Sequence, residues 1–195
     1  WPKTPCGFLM IYPPLPLDRD LRGYHGAEPK IPWPNGAQLA VSVVVNIEEG
    51  AELSIAAGDA SNEFIYEAVE RVEGSRDLCM ESHYAYGTRR GWARIRSALK
   101  SSGVTATLNA CGRSLYHSPW IASEAAADGH EISSHGWRWE RQVNMPEAEE
   151  RQVSARAVAA ITTAAGTPPV CWHTRSATSV NTRRLLLEHG GFLYD

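Results

Sequence analysis

Three short stretches, far apart in the chain, carry side chains able to do hydrolytic chemistry. Asn46 to Gly50 (NIEEG) sets two consecutive carboxylates, Glu48 and Glu49, just past a β-branched run. Gly129 to Glu140 (GHEISSHGWRWE) places His135 beside a glycine and two tryptophans, Trp137 and Trp139. Trp172 to Arg183 (WHTRSATSVNTR) contributes Arg175. A carboxylate can act as general base or metal ligand, an imidazole can bind metal or move a proton, and a guanidinium can hold a carboxylate in place. The ordinary readings are two solvated glutamates on a loop and a strand-end histidine among packing tryptophans. What joins the three stretches is position, because each follows a segment of strand character. In barrels and open α/β sheets, catalytic groups collect at the C-terminal ends of the strands.

The elements that must position these groups alternate. Gln38 to Asn46 (QLAVSVVVN) is an apolar run of strand length, expected to be buried on both faces. Asp59 to Val72 has apolar residues near helical spacing, with Ser61 as cap. Met80 to Trp92 (MESHYAYGTRRGW) reads as a polar-aromatic loop that can close over a ligand, with Tyr86 in contact with it. A helix is expected from about Gly91 to Ser102, with Trp92, Ile95 and Leu99 on one face and Gly103 as its stop. Val104 to Asn109 alternates as a strand, and Ser118-Pro119 opens a helix that runs to about Asp128. After the His135 strand come a helix over Pro146 to Ala165, a short strand over Val170 to His173, a helix over Asn181 to His189, and a further strand beginning at Phe192. Strict alternation of this kind predicts a parallel sheet with helices outside, open or closed into a barrel. Residues 1–37, rich in proline and charge and without a period, read as an extended arm. Residues 38–195 read as the domain. Since a parallel barrel typically needs roughly 250 residues and the chain stops as a strand begins, it is expected to be the front part of a longer domain.

Composition narrows the classes. With 195 residues, 43% hydrophobic and 21% charged, the chain can bury one core. Its net charge of -3 and lack of a basic run argue against a nucleic-acid surface. No apolar run approaches the roughly 20 residues of a membrane span. Cys6, Cys79, Cys111 and Cys171 form no C-x-x-C pair, so neither a zinc knuckle nor a redox motif is encoded. Four isolated thiols fit a reducing, cytoplasmic compartment.

The same stretches, with DRDLRGY, AAGDA, NMPEAEE and SVNTRRLLLEHGGFLYD, resemble the polysaccharide deacetylase (NodB-type) superfamily, and within it the allantoinase-like branch of urate catabolism. The resemblance runs from about Asp18 to Asp195. It implies a distorted parallel (β/α) barrel, incomplete at its C-terminal side, and hydrolysis of a non-peptide C–N bond. The superfamily's first motif has a catalytic base followed by a metal ligand, positions that Glu48 and Glu49 take. Its second has two histidines four apart. His135 fits the first, and Trp139 stands at the second, as is usual in the allantoinase-like branch, which works without a tightly bound metal. Arg175 fits the third motif's arginine, which orients the base, although Ser176-Ala177-Thr178 replaces the family's Tyr-Gly-Pro. Glu140-Arg141-Gln142 also departs from the aliphatic and aromatic residues of the branch.

The expected site is therefore Glu48, His135 and Arg175 as catalytic residues, with Glu49, Trp137, Trp139 and Tyr86 contacting substrate. No cofactor is expected to be required; zinc or another divalent ion is the alternative, through Glu49 and His135. The expected activity is opening of the allantoin ring to allantoate. The alternatives are metal-dependent N-deacetylation of a sugar polymer, or a truncated remnant that only binds ligand. The expected partners are a small-molecule substrate and further copies of the chain in a homo-oligomer, with no nucleic acid and no membrane.

Overall fold

A computed structural model of the protein describes residues 23–65 and 68–195. The chain divides into a short unit ending at Val41 and a larger one from Ser42 to Asp195. In the short unit the described residues are exposed and hold a single 3-10 turn over Pro34–Gly36. Most of the DRDLRGY stretch and Cys6 lie outside the described residues.

The larger unit is built on three parallel strands in the order β1 (Val44–Ile47), β2 (Thr107–Ala110), β3 (Glu131–Ser134). Parallel bridges Ser134 to Trp172 and Cys171 to Tyr194 carry the same order onward. This is the alternating α/β architecture expected from the sequence, an open arc of parallel strands among the described residues. Side chains alternate across a strand, and register fixes which rows meet. Val45, Leu108 and Ile132 form one row, packed among the core side chains. The next row, Asn46, Asn109 and Ser133, faces the other way and is joined by hydrogen bonds from the Asn109 amide to Asn46 (3.3 Å) and from the Ser133 hydroxyl to Asn109 (3.2 Å). A polar ladder of this kind satisfies groups that would otherwise be costly to bury.

The core joins Ile47, Leu108 and Ala110 to Trp92 of α2 (Trp92–Ser102), Leu115 of α3 (Gly112–His117), Ile121, Ala122 and Ala125 of α4 (Pro119–Ala127), and Ile161 of α5 (Glu147–Ala165). The buried Trp92 indole donates to Glu124 at 2.8 Å, so its polar atom keeps a partner. α6 (Thr182–His189) adds Leu186, packed with Trp172 and Ala157. Trp92 and Leu99 face inward as expected, whereas Ile95 is exposed.

Several expectations need correction. The first strand is shorter than Gln38 to Asn46 and is not buried on both faces: Val44 is 54% exposed. Asp59 to Val72 forms no helix among its described residues. Its polar side chains make better bonds elsewhere, since the Asn62 amide bonds Ile55 N–H and the carbonyls of Val72 and Ser75. Such side-chain bonds compete with a helical ladder. Conversely, Met80 to Tyr86 is not a loop. It lies in α1 (Leu78–Tyr86), capped by the Asp77 carboxylate on Met80 N–H at 3.0 Å. A π turn over Gly87–Gly91 then leads into α2, with Trp92 N–H donating to Gly87 O. α1 has a single buried residue, Met80, so it shows no apolar stripe for sequence reading to find. Ser118 precedes α4 as expected, but its hydroxyl makes no capping bond.

Candidate active site

Strand parity builds the site. Two residues beyond the polar row Asn46, Asn109 and Ser133 come Glu48, Cys111 and His135, the first residues past the three strand ends. The bridge at Trp172 brings His173 into the same row. Cys111, small and buried, lies between Glu48 and His135 in this order, and its thiol contacts the His135 carbonyl at 3.7 Å. The long side chains of the outer two then meet, His135 Nε2 lying 3.1 Å from Glu48 Oε1.

The second nitrogen of His135 decides how many protons this contact holds. Nδ1 lies 2.6 Å from the His173 carbonyl oxygen. A carbonyl can only accept, so Nδ1 carries a hydrogen. An acceptor Nε2 facing a carboxylate oxygen would repel it, and the 3.1 Å approach therefore needs one further proton between them. Glu48 and His135 form a one-proton dyad: a carboxylate on an imidazolium, or a carboxylic acid on a neutral imidazole.

His135 is buried, 4% exposed, and sits behind Glu48. Glu48 itself lines a cavity of about 710 Å³ together with Glu49, Tyr84, Trp139 and Arg175. This size is in the range of small-molecule sites. The loop that follows His135 is fixed at both ends. Gly136 adopts φ 85°, a left-handed conformation that favours glycine, and a Cβ there would crowd the Arg138 carbonyl at 3.3 Å. The first N–H groups of α3, which have no partner inside the helix, bond the carbonyls of Gly136 (2.8 Å) and Trp137 (2.7 Å). Arg138 reaches the other way, to the carbonyls of Ala51 and Glu52 and to both oxygens of Asp59. That bidentate pair holds the Asp59 carboxyl down at about 2.

Glu49 projects into a slot against Gly87, and its carboxylate accepts from Glu48 N–H at 3.1 Å. Burial raises its pKa above the usual carboxylate range. A methyl group at Gly87 would land inside that carboxylate. Gly87→Ala is therefore expected to cost about 1–3 kcal/mol of stability through overpacking, measured by denaturant unfolding. Combining it with Glu49→Ala should restore most of the loss, since the two substitutions are coupled through one contact.

The expected residues do not all converge. Arg175 reaches the cavity wall, but its carboxylate partner is Glu63 at 3.3 Å, not Glu48. It also donates to the Trp139 carbonyl at 2.5 Å and stacks 3.4 Å from the centre of the Trp139 ring. Trp137 points away from this cavity, under the Arg156 guanidinium at 3.7 Å. Tyr86 is half exposed and its hydroxyl accepts from Arg94 at 2.6 Å. Tyr84 lines the cavity instead, because two residues along a helix turn a side chain by roughly 200°. Burial first, then the carboxylates of Glu63, Glu52 and Glu48, push the Tyr84 phenol well above its ordinary pKa and keep it a donor. Tyr84 and Glu63 were missed because the first sits in a helix without an amphipathic signal. The second meets its partner across 112 residues.

The residues present do not fit a metal centre of two imidazoles and a carboxylate. Both nitrogens of His135 are engaged, Trp139 occupies the position four residues on, and the Glu49 carboxylate is turned into the Gly87 slot. Among the described residues no group of three or more His, Cys, Asp or Glu is arranged to hold an ion.

Comparison with known proteins bears on this arrangement. The sequence model of the polysaccharide deacetylase family matches residues 79–192, more than half of the chain. The chain belongs to the polysaccharide deacetylase family. A polysaccharide deacetylase-like protein of Schizosaccharomyces pombe is 34% identical over 177 residues, which cover 87% of this chain and 55% of that protein. The crystal structure of PuuE allantoinase superposes with a TM-score of 0.83 at 39% identity, covering 93% of this chain and 61% of that one. A polysaccharide deacetylase-like protein from Pseudomonas aeruginosa gives the same TM-score at 42% identity, covering 92% and 60%. The chain of this family member thus spans 55–61% of the length of these relatives. Among its described residues no helix is long and apolar enough to cross a membrane.

Proposed function

We propose that the chain carries the hydrolytic site of a cyclic amidase that opens the hydantoin ring of allantoin to allantoate. The observation that carries this reading is the one-proton dyad of Glu48 and His135 behind a cavity of about 710 Å³. In its carboxylate form Glu48 takes a proton from water as the water oxygen bonds to the ring carbonyl carbon. The carbonyl oxygen becomes an oxyanion, which the Tyr84 hydroxyl meets as a donor. When the carbon–nitrogen bond breaks, protonated Glu48 passes the proton to the departing ring nitrogen and regains its charge. The new carboxylic acid releases its own proton to solvent, so atoms and charge balance. His135 does not touch substrate in this scheme; its Nε2, 3.1 Å from Glu48 Oε1, holds the Glu48 carboxyl group oriented. Arg175, fixed by Glu63, keeps Trp139 against the cavity. This shifts the sequence-based roles: His135 and Arg175 are positioning residues, and Tyr84 takes the oxyanion.

The likeness to PuuE allantoinase supports the ring-opening reading, while the family to which the chain belongs supports sugar N-deacetylation as the second. One experiment separates them. The purified chain is given allantoin, with allantoate formation followed, and chitin oligomers, with acetate release followed, each with and without chelator. Ring opening insensitive to chelator is expected. Acetate release that chelator abolishes would overturn the proposal in favour of a deacetylase, and no turnover of either substrate would leave the chain a binding remnant.

A further inference from the structure

The cavity wall holds more positive charge than this reaction uses. Besides Arg175, which Glu63 neutralises, Arg71 and Arg141 line the same cavity. Among the described residues neither forms an ion pair. Arg71 lies over the Phe64 ring at 4.4 Å, a stacking that holds the guanidinium plane without neutralising it. Of the two carboxylates on the wall, Glu48 is already matched to His135, and Glu49 is turned toward Gly87. Among the described residues, two guanidinium groups thus line the space a ligand would fill without a carboxylate partner. A planar guanidinium matches a carboxylate in a bidentate fork, and a pair of them on one cavity favours an anion over a neutral group of the same shape.

We propose that the site prefers a cyclic ureide bearing a carboxylate, with the ring at Glu48 and Tyr84 and the carboxylate between Arg71 and Arg141. This rests on the ring-opening reading and ranks a carboxylated ring above neutral allantoin. Both arginines lie outside the hydrolytic machinery, on the exposed side of the cavity.

The test uses a matched pair of probes, hydantoin-5-acetate and hydantoin-5-acetamide, binding to the full chain and followed by quenching of tryptophan fluorescence. The acetate is expected to bind at least ~10-fold more tightly than the amide at low salt. That preference should shrink as salt rises toward 0.5 M. It should also fall to near parity in Arg71→Gln/Arg141→Gln and persist in Glu48→Gln. Equal affinity for the two probes, a preference indifferent to both salt and the double substitution, or no binding of either would overturn the proposal. The two readings fail separately. If allantoin is opened while acid and amide bind alike, only the anion site falls. If the acid binds more tightly but no ureide ring is ever opened, only the reaction falls.

Discussion

Glu48→Gln is expected to lower kcat for ring opening by roughly 10³–10⁴-fold, the upper range for a group that both takes and returns a proton. Ligand affinity should change little, because the amide has the same shape and the cavity wall keeps its arginines. Stability should also hold. The side-chain amide introduced by this substitution can donate to the neutral His135 Nε2, so the buried imidazole keeps a partner across the 3.1 Å contact. His135→Asn is the informative companion. A residue that only orients Glu48 should lower kcat with KM nearly unchanged when replaced, whereas loss of a merely structural histidine would lower stability and ligand binding together. Retention of more than about a tenth of the wild-type kcat by Glu48→Gln would remove Glu48 from the chemistry and the dyad with it.

The second large effect concerns stability and pH. Glu140 follows the turn over residues 137–139, and neither of its buried carboxyl oxygens has a well-formed hydrogen bond. Burial raises its pKa from 4.5 to about 7, against the weaker opposing pull of nearby backbone N–H groups of Arg138, Glu140 and Trp137. An acid whose pKa is higher in the folded state holds a proton that the unfolded chain gives up. Stability therefore declines as pH rises from about 4.5 through about 7, then levels off once Glu140 is ionised in both states. The decline is at most about 3 kcal/mol, at 1.36 kcal/mol per pKa unit, and less once solvent screening is counted. Glu140→Gln should remove it. The variant is expected to match the wild type near pH 4.5 and to exceed it by about 1–2 kcal/mol at pH 8, a rise in Tm of about 3–6 °C for a chain this size. Urea unfolding at both pH values measures this, and parallel pH curves for the two proteins would show that Glu140 is solvated in the fold.

Period-two reading of the strands is enough to place Glu48 and His135. Each is the first residue past a short strand, Val44–Ile47 or Glu131–Ser134, and parity then dictates the side of the sheet on which it emerges. The alternating order of elements is readable for the same reason. What cannot be read depends on contacts between distant residues. Arg175 is expected from the sequence to hold Glu48, yet its partner Glu63 lies in a segment that looks helical and is not. Nothing local to Glu63 announces that it will be buried. Tyr84 and Tyr86 are indistinguishable in a stretch that reads as a loop, and only the helix that Asp77 starts decides which of them enters the cavity. Trp137 and Trp139 likewise look equivalent until the bonds from α3 and from Arg138 set the turn between them.

The segment bearing Arg175 is tied down on both sides of residues 176–178. Upstream, Arg175 is held by Glu63 and Trp139. Downstream, the buried Glu150 carboxylate of α5 accepts from the Ser179 hydroxyl at 2.6 Å and from the Thr182 hydroxyl, while Ser179 Oγ receives N–H bonds from Asn181 and Thr182. The three residues between these moorings are all exposed, and the first of them, Ser176, turns the chain through a left-handed φ of 60°. Past that turn, residues 177 and 178 can drift in composition from one descendant to the next while the wall of the cavity stays where it is.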